Sequence, residues 1–260
     1  MEYLHKIDKI DTDTEYWNIP EQKTGTMNVI GGNGQAFKTS VRTVEYLTAN
    51  FPLKSVNLVL PDALKSTLPP LPGVNFLKST DSGSFAEAAE LEGACNAADF
   101  SLFIGDFSKN SITRAAVGSA CVSSEKPLLL TRDTVDLIAE EQTDKWLMNS
   151  HISLLATMPQ LIKIFHAVYY PKMLLLSQPL VHVAEALHKF TLSYPVKITT
   201  LHDGQIIIAE NGEISVLPLS NTEYSPLTLW LGTPAARIMA LNLFNPNNFT
   251  KATLASLMKK

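Results

Sequence analysis

The sequence predicts an α/β fold in which a mostly parallel sheet is covered by helices on both faces. Two observations carry this prediction. Short apolar segments alternate with segments in which apolar residues recur at helical spacing, and most of the apolar segments are followed by Gly, Pro or Asp. Strands that are apolar throughout are buried on both faces, which is typical of parallel sheets between two helical layers.

The alternation begins near Met27. Strands are predicted over residues 27–30, 55–60, 100–104 and 127–130. Helical periods lie between them, over residues 41–51, 84–95 and 111–124, and another begins at about Asp133. In the first helix, for example, Val41, Val44 and Leu47 fall on one face, as a helix covering a sheet requires.

The second half of the chain continues with a strand over residues 152–156 and helices over 159–168 and 179–190. Three short strands follow, at 196–201, 205–209 and 214–217. They are separated by Asp203-Gly204 and Asn211-Gly212, which favour tight hairpin turns because these residues tolerate positive φ. The C-terminus returns to helix, starting at either Pro226 or Pro234 and ending near Leu243, and again from Phe249.

Length and composition favour one domain. The 260 residues are 45% hydrophobic and 18% charged, which supports a sizeable core. The alternation is unbroken from residue 21 to residue 260, so these residues are predicted to form a single domain after a mobile N-terminal tail of residues 1–20. The only two cysteines, Cys95 and Cys121, lack metal-like spacing and are predicted to be small buried residues in a reducing compartment.

Neither nucleic acid nor a membrane is an expected partner. The net charge is −4 and the sequence has no basic stripe, so nucleic-acid binding is not expected. No signal peptide and no apolar stretch long enough to span a bilayer is present, so a cytoplasmic protein is expected. Whether the chain forms a homo-oligomer stays open.

A glycine-rich segment, residues 31–39, lies between the first strand and the first helix, where phosphate-cradling loops occur. From Gly32 it nearly fits the Walker pattern GxxxxGK[ST]. Phe37 stands where the second glycine belongs, however, and its side chain would obstruct a phosphate. A tight strand-to-helix turn and a turn that contacts a ligand are the two other interpretations, since ligands of open α/β sheets bind at the carboxyl ends of strands.

Two aspartates end predicted strands that follow one another along the chain, and they would approach the same crevice if these strands are neighbours in the sheet. Gly105-Asp106 closes one, and Thr131-Arg132-Asp133 closes the next. Asp106 and Asp133 are either helix N-caps, the common use of Asp at such positions, or parts of a shared site. Thr233 is likewise a good N-cap, with Pro234 at the first helical position; backbone N–H groups of such a helix start can hold an anion.

The sequence lacks the motifs of a zinc site and of an ordinary esterase. The six histidines include no HxxxH or HExxH pair, so no metal site is expected. No GxSxG elbow occurs, which disfavours an ordinary esterase.

In this order, the landmarks resemble the ADP/ATP-dependent NAD(P)H-hydrate dehydratases of the ribokinase superfamily. The family's early strand ends in Gly-Gly-Ser, similar to Gly31-Gly32-Asn33 here, and its middle strand ends in Gly-Pro-Gly, similar to Gly105-Asp106. Its Lys-Pro entry to a strand ending in Asp-Ala-Asp resembles residues 126–133. The resemblance covers roughly residues 25–245. It implies a ribokinase-like three-layer α/β/α sandwich with a C-terminal hairpin.

The resemblance also implies ligands and site residues. A family enzyme is a lyase that repairs hydrated nicotinamide cofactor, so ADP or ATP with Mg, and NAD(P)H-hydrate as substrate, are the implied ligands. The implied nucleotide-binding residues are His202, Gly204, Gly232 and Thr233. The implied substrate-binding residues are Gly31, Gly32, Asn33, Gly105, Asp106 and Asp133.

The departures from the family fall where its chemistry lies. The nucleotide-binding lysine is replaced by His202, the Thr-Pro-His-Pro-Gly-Glu segment is reduced to residues 156–160, and the catalytic aspartate of Gly-Ser/Thr-Gly-Asp is replaced by Ala235. Ala235 cannot transfer a proton, and general acid–base help is commonly worth about 10²–10⁴-fold. The expectation is therefore an impaired dehydratase. The alternatives are a catalytically inactive nucleotide- or metabolite-binding relative and a small-molecule kinase of the same superfamily.

Overall fold

The structure, a computed structural model, describes residues 2–7, 19–68 and 72–258. Its strands form one ten-stranded sheet. They are β1 (Leu4–Lys6), β2 (Thr24–Gly31), β3 (Leu53–Pro61), β4 (Val74–Leu77), β5 (Phe100–Gly105), β6 (Leu128–Thr131), β7 (Ile152–Leu155), β8 (Lys197–His202), β9 (Gln205–Glu210) and β10 (Glu213–Pro218). The order across the sheet is β1-β10-β9-β8-β7-β6-β5-β2-β3-β4.

The sheet is mostly parallel, as predicted. Among the described strands only β9 runs antiparallel, pairing with β8 on one side and β10 on the other. The two hairpin turns have positive φ at both central residues, 48° and 68° at Asp203-Gly204 and 50° and 82° at Asn211-Gly212. Two-residue turns of this kind match the twist of the strands they join, so the predicted hairpins are confirmed.

Helices cover both faces of this sheet. They are α1 (Lys38–Asn50), α2 (Ala88–Asn96), α3 (Ser111–Ser123), α4 (Asp133–Ile138), α5 (Thr143–Leu147), α6 (Met158–Ala167), α7 (Leu180–Ser193), α8 (Gly232–Phe244) and α9 (Phe249–Leu257). Helices α2–α7 pack in one apolar cluster and α1, α8 and α9 in another. The three-layer α/β/α architecture of the prediction is therefore confirmed.

The strands supply both clusters because successive side chains of a strand point to opposite faces. In β6, Leu129 belongs to the cluster beneath α8, while Leu128 and Leu130 belong to the cluster beneath α2–α7. All three are buried. Burying such a side chain contributes about 1.5–3 kcal/mol, which explains why apolar runs without alternation form these strands.

Two short strands were not predicted. β4 is an edge strand of four residues, and β1 pairs in parallel with β10 through Leu4–Lys6. These three residues lie inside the predicted N-terminal tail, and their pairing with the sheet corrects that part of the prediction. Residues 8–18 of the tail lie outside the described residues, so the domain boundary at residue 21 stays a prediction.

The start of α8 corrects a second expectation. The helix begins at Gly232, with Leu231 as N-cap, so Thr233 is its second residue and not its cap. Residues after Pro226 form a separate short turn, Thr228–Trp230. Of the two predicted helix starts, Pro234 is closer to the observed start than Pro226, although Pro234 is the third residue of the helix. Its lack of an N–H is harmless there, since the first four N–H groups of a helix have no partner within the helix.

Cys95 and Cys121 are free and buried, as predicted. Desolvation by burial raises the pKa of the Cys95 thiol to about 12, which keeps it protonated and unreactive. In the described part of the chain, no helix has the length and apolar character that crossing a membrane requires.

Candidate functional site

The predicted substrate residues lie together at one edge of the sheet. They follow β2, β5 and β6, which are neighbouring parallel strands, and Gly31 is in register with Gly105. Parallel neighbours end at the same edge, so the Gly31-Gly32-Asn33, Gly105-Asp106 and Asp133 segments meet there. We call this group of three strand ends the β2-β5-β6 edge.

Glycine is required where the β2 and β5 ends touch. A Cβ on Gly31 would lie 2.6 Å from the Ile104 side chain and 2.7 Å from the carbonyl oxygen of Gly105. Gly32 has a φ of 107° and donates its N–H to the same carbonyl at 2.9 Å. Close approach and positive φ therefore both exclude a larger residue.

The loop after β2 closes on itself. The Asn33 side-chain oxygen accepts from the backbone N–H groups of Gln35 at 2.8 Å and Ala36 at 3.1 Å, and the N–H of Gly34 donates to Gly83. These amides are the groups that a Walker loop would direct at a phosphate. Because they already have partners, the geometry favours the tight-turn interpretation over the Walker one.

Asp106 and Asp133 are joined through the backbone. The carboxylate of Asp133 accepts from the N–H of Asp106 at 2.8 Å and from the N–H of Phe107 at 3.2 Å. Arg132 pairs with the Asp106 carboxylate at 2.8 Å, and the Asn33 amide donates to the Asp106 carbonyl at 2.6 Å. All three strand ends are therefore cross-linked by polar contacts.

The N-cap interpretation of both aspartates is wrong. Helix α3 is capped by Asn110, whose side chain accepts from the N–H of Thr113 at 2.7 Å. Asp133 is the first residue of α4, and its carboxylate is directed at the β5 end. The alternative, a shared location at one edge, is the one that the geometry supports.

Backbone strain is concentrated at these strand ends. Asp106 and Arg132 have φ values of 63° and 57°, in a region that residues with a Cβ rarely adopt. A Cβ on Gly105, whose φ is 95°, would lie 1.9 Å from a carboxylate oxygen of Asp133. Strained residues persist where the surrounding contacts hold them, and they cluster at functional sites.

The Asp133 carboxyl has a raised pKa. Desolvation by burial is the largest cause, and the nearby negative charge of Asp106 adds to it. The backbone N–H of Asp106, the Arg132 guanidinium and the backbone N–H of Asp133 itself oppose the rise in its pKa. A carboxyl that keeps its proton more readily than usual, at the carboxyl edge of the sheet, can act as an acid or a base toward a ligand.

The predicted nucleotide residues lie on two elements, the start of α8 and the β8–β9 hairpin. Gly232 packs against α1, and a Cβ on it would lie 2.2 Å from the Thr43 hydroxyl. His202 and Gly204 lie at the β8–β9 hairpin.

The α8 N-terminus has the features of an anion site. No side chain caps it, and no acidic residue lies in its first turn. Thr233 is exposed, whereas Ala235, two residues later, is fully buried. Backbone N–H groups without a side-chain cap and the positive end of the helix dipole favour an anion at such a position.

His202 takes part in the fold. Its ring is buried, and Nε2 lies 2.7 Å from the carbonyl oxygen of Gln178. The ring nitrogen is therefore occupied by a protein partner. Gly204 is exposed, with open space around it. The nucleotide-binding roles of His202 and Gly204 stay predictions.

Gln160 also contributes to the β2-β5-β6 edge, although the sequence did not predict it as a site residue. The Gln160 amide donates to the Arg132 carbonyl at 2.6 Å and to the Asp136 carboxylate at 2.7 Å, while its oxygen accepts from the N–H of Thr157. Thr157 and Gln160 form the capping box of α6. The Thr-x-x-Gln spacing is the sequence signal that identifies this box, but not the contacts to Arg132 and Asp136.

The described residues include no group of three or more His, Cys, Asp or Glu side chains that could hold a metal ion. Mg²⁺ is usually bound by one or two carboxylates together with the substrate's phosphates and water. The carboxylates at the β2-β5-β6 edge, Asp106 and Asp133, are each held by contacts within the protein.

Comparisons with known proteins identify the fold. No family model and no curated protein matches the sequence. A ribokinase-like superfamily protein from Enterococcus faecalis superposes with a TM-score of 0.63 at 12% identity, over 98% of this chain and 86% of that one. The ADP/ATP-dependent NAD(P)H-hydrate dehydratase from Bacillus subtilis, co-crystallised with ATP/Mg²⁺ and soaked with CoA, superposes with a TM-score of 0.58 at 12% identity, over 92% and 82%.

Kinases share the same architecture. Adenosine kinase from Anopheles gambiae, in complex with a di(adenosine) tetraphosphate, superposes with a TM-score of 0.54 at 8% identity, over 98% of this chain and 89% of that one. At such identities the likeness concerns the fold alone. The fold is therefore ribokinase-like, a class that includes both small-molecule kinases and NAD(P)H-hydrate dehydratases.

Proposed function

We propose that this chain is a nucleotide-binding protein of the ribokinase-like class. Its sequence resembles the NAD(P)H-hydrate dehydratases, but we infer that it has lost most of their catalytic activity. One observation carries the proposal. The α8 N-terminus keeps its uncapped backbone N–H groups, whereas the residue expected to supply the catalytic carboxylate is the fully buried Ala235. Phosphate binding and proton transfer are therefore separable in this protein.

The phosphates of ADP or ATP would lie at the N-terminus of α8. Gly232 and Thr233 supply N–H donors there, while Pro234 supplies none. The family's lysine would add a fixed positive charge, but His202 directs its ring to Gln178 instead. Nucleotide binding is accordingly expected to be weaker than in an active family enzyme.

Proton transfer would have to use a carboxylate other than the one missing at position 235. The bound nucleotide would supply the phosphoryl group whose transfer drives water loss. Asp106 is paired with Arg132, and Asp133 receives two backbone N–H groups. Burial raises the pKa of Asp133, which suits an acid or base. Any residual turnover is therefore expected to depend on Asp133.

A small-molecule kinase is the second candidate. It is favoured by the superposition on kinases such as phosphomethylpyrimidine kinase from Clostridium difficile, with a TM-score of 0.51. A kinase of this superfamily would also need the catalytic aspartate that the family pattern places at position 235, where this chain has Ala235. An ATP-consumption assay with a panel of alcohol and amine acceptors separates the candidates, since a kinase would consume ATP only when its acceptor is present.

Nucleotide binding is tested by thermal shift with ADP and with ATP plus Mg²⁺. Saturating a native-state site at 100 times Kd stabilises it by about 2.7 kcal/mol. Thr233→Asp places an acid on the exposed second residue of α8 and should abolish the shift through repulsion of phosphate, without harming the helix. Val181→Asp, at the exposed second residue of α7, is the matched control. An unchanged shift in Thr233→Asp contradicts the proposed site.

Catalysis is tested by the loss of hydrated NADH with ADP or ATP, followed by absorbance beside an active family enzyme. Turnover barely above background is expected. Turnover comparable to that of the active enzyme would mean that another residue performs the chemistry, and the impaired-enzyme proposal would then be wrong.

A further inference from the structure

Exposed apolar side chains are concentrated in the segment that joins α6 to α7 and in the first turn of α7. They are Tyr169, Met173, Leu175, Leu176 and Val181. Their exposed fractions run from 41% at Val181 to 93% at Tyr169. Single exposed apolar residues are ordinary on a protein surface, whereas a group of them marks an interaction site. We call these five residues the 169–181 patch.

The loop that carries most of the 169–181 patch is held by its own contacts. The N–H of Leu175 donates to the Gln178 side-chain oxygen at 3.1 Å, and the Gln178 amide donates to the Met173 carbonyl at 3.2 Å. Leu174, which lies between two residues of the patch, is buried in the apolar cluster of α2–α7. The exposed side chains are therefore carried by an ordered backbone, so binding through them costs little ordering of the loop.

His202 supports the same loop from the β8–β9 hairpin. Its Nε2 lies 2.7 Å from the carbonyl oxygen of Gln178, so the side chain that stands in place of the family's lysine holds this loop. At the start of the loop, Tyr169 has a φ of 49°, which is rare for a bulky residue, and its N–H donates to the His166 carbonyl at 3.0 Å. Strained residues of this kind persist where contacts hold them, and they cluster at functional sites.

The 169–181 patch continues from the loop onto α7, and the charges beside it are paired. Lys172 of the loop pairs with Glu185 of α7, and Lys189 pairs with the same carboxylate at 3.0 Å. Val181 lies four residues before Glu185, on the same face of the helix, so the Lys172 contact brings the loop beside Val181. Two copies of this surface can therefore meet without placing unpaired like charges opposite each other.

We propose that the 169–181 patch is the centre of a symmetric dimer interface with a second copy of this chain. The five residues expose roughly 500 Å², counting about 150–200 Å² for a fully exposed residue of this size. That is more than half of the about 800 Å² per partner that a standard interface buries. An apolar surface is complementary to itself, as a twofold interface requires, whereas nucleic acid or an anionic membrane would require unpaired cations. The inference goes beyond the proposed function, because it does not depend on α8.

Sedimentation equilibrium of the full chain measures the dimer. A monomer–dimer equilibrium with a Kd on the order of micromolar is expected, because the interface is small. Met173→Lys should weaken the dimer about 100-fold, about tenfold for each copy, because a twofold interface contains the residue twice. Leu176→Lys should act in the same way. Met148→Lys is the matched control, since Met148 is 60% exposed after α5 and Met173 is 61% exposed, and it should leave the dimer unchanged.

A chain that stays monomeric at about 100 times the expected Kd would overturn the proposal. A dimer that Met173→Lys and Leu176→Lys leave intact, or that Met148→Lys weakens equally, would overturn it as well. Binding of the monomer to phosphatidylcholine vesicles, lost in Met173→Lys, would assign the 169–181 patch to a lipid surface instead. An ADP titration keeps the two proposals apart, since Met173→Lys should bind ADP like the unmodified chain. Failure of ADP to bind any of these proteins, with the dimer intact, would contradict the proposed function alone.

Discussion

The β2-β5-β6 edge and the start of α8 are the two regions where ligand contacts are predicted, but they use their polar groups in opposite ways. At the β2-β5-β6 edge, the polar side chains of Asn33, Asp106 and Asp133 all contact protein groups. At the start of α8 no side chain caps the helix. Substitutions at the first region should therefore change the stability of the fold. Exposed substitutions at the second should change binding only.

Gly105→Ala is expected to have the largest effect on stability. The new Cβ would collide with the Asp133 carboxylate, 1.9 Å away, at a φ of 95°. A loss of about 4 kcal/mol in the free energy of unfolding is expected from the combined clash and strain. Urea denaturation measures it. Gly204→Ala, also at positive φ but in open space, is the control and should lose about 1 kcal/mol. Equal losses would contradict the cross-linked β2-β5-β6 edge.

Ala235→Asp, which restores the family's catalytic residue, is expected to cost about 3 kcal/mol. Ala235 is fully buried in the apolar cluster beneath α8, and a carboxylate there would lack a partner. Hydrate turnover should stay near background, because His202 still leaves the phosphates without a lysine. Thr233→Asp, two residues earlier and exposed, should lose no stability. A stable and active Ala235→Asp variant would show that only one residue separates this chain from an active enzyme.

His202→Gln tests whether His202 serves the fold or the ligand. Loss of the ring's contact with the Gln178 carbonyl should cost about 1 kcal/mol of stability. ADP affinity, measured on the same protein, should stay unchanged. His182→Gln, on the exposed surface of α7, is the control and should change stability by less than about 0.5 kcal/mol. A loss of ADP affinity with stability intact would assign His202 to the nucleotide site.

The smallest effect is a pH dependence at Asp133. Its folded-state pKa is raised by desolvation, so the folded state holds this proton more tightly than the unfolded chain does. The resulting stabilisation is present below the ordinary pKa of 3.8 and is lost as pH rises through the raised folded value. The stability of the unmodified chain relative to Asp133→Asn should therefore fall with rising pH over this window. Urea denaturation at several pH values measures the difference, and a difference that grows with pH would contradict the assignment.

The predicted elements and the observed ones differ mainly at the sheet edges. β2, β5 and β6 were predictable because they are buried on both faces, which only an apolar run satisfies. β1 was not, because Leu4–Lys6 is half-exposed and three residues long, and it becomes a strand only by pairing with β10. Edge strands leave a weak pattern since one side has no neighbour.

The candidate site divides in the same way. The sequence by itself determined that Gly31, Gly105 and Asp133 lie at the ends of strands, because strand ends are marked by local turn chemistry. Only the tertiary structure decided what their side chains touch. The Asp133 carboxylate accepts from backbone amides at the end of β5. Arg114, Asp136 and Lys163, on three separate helices, line one cleft. Such contacts join residues distant in sequence through packing, which local patterns do not encode.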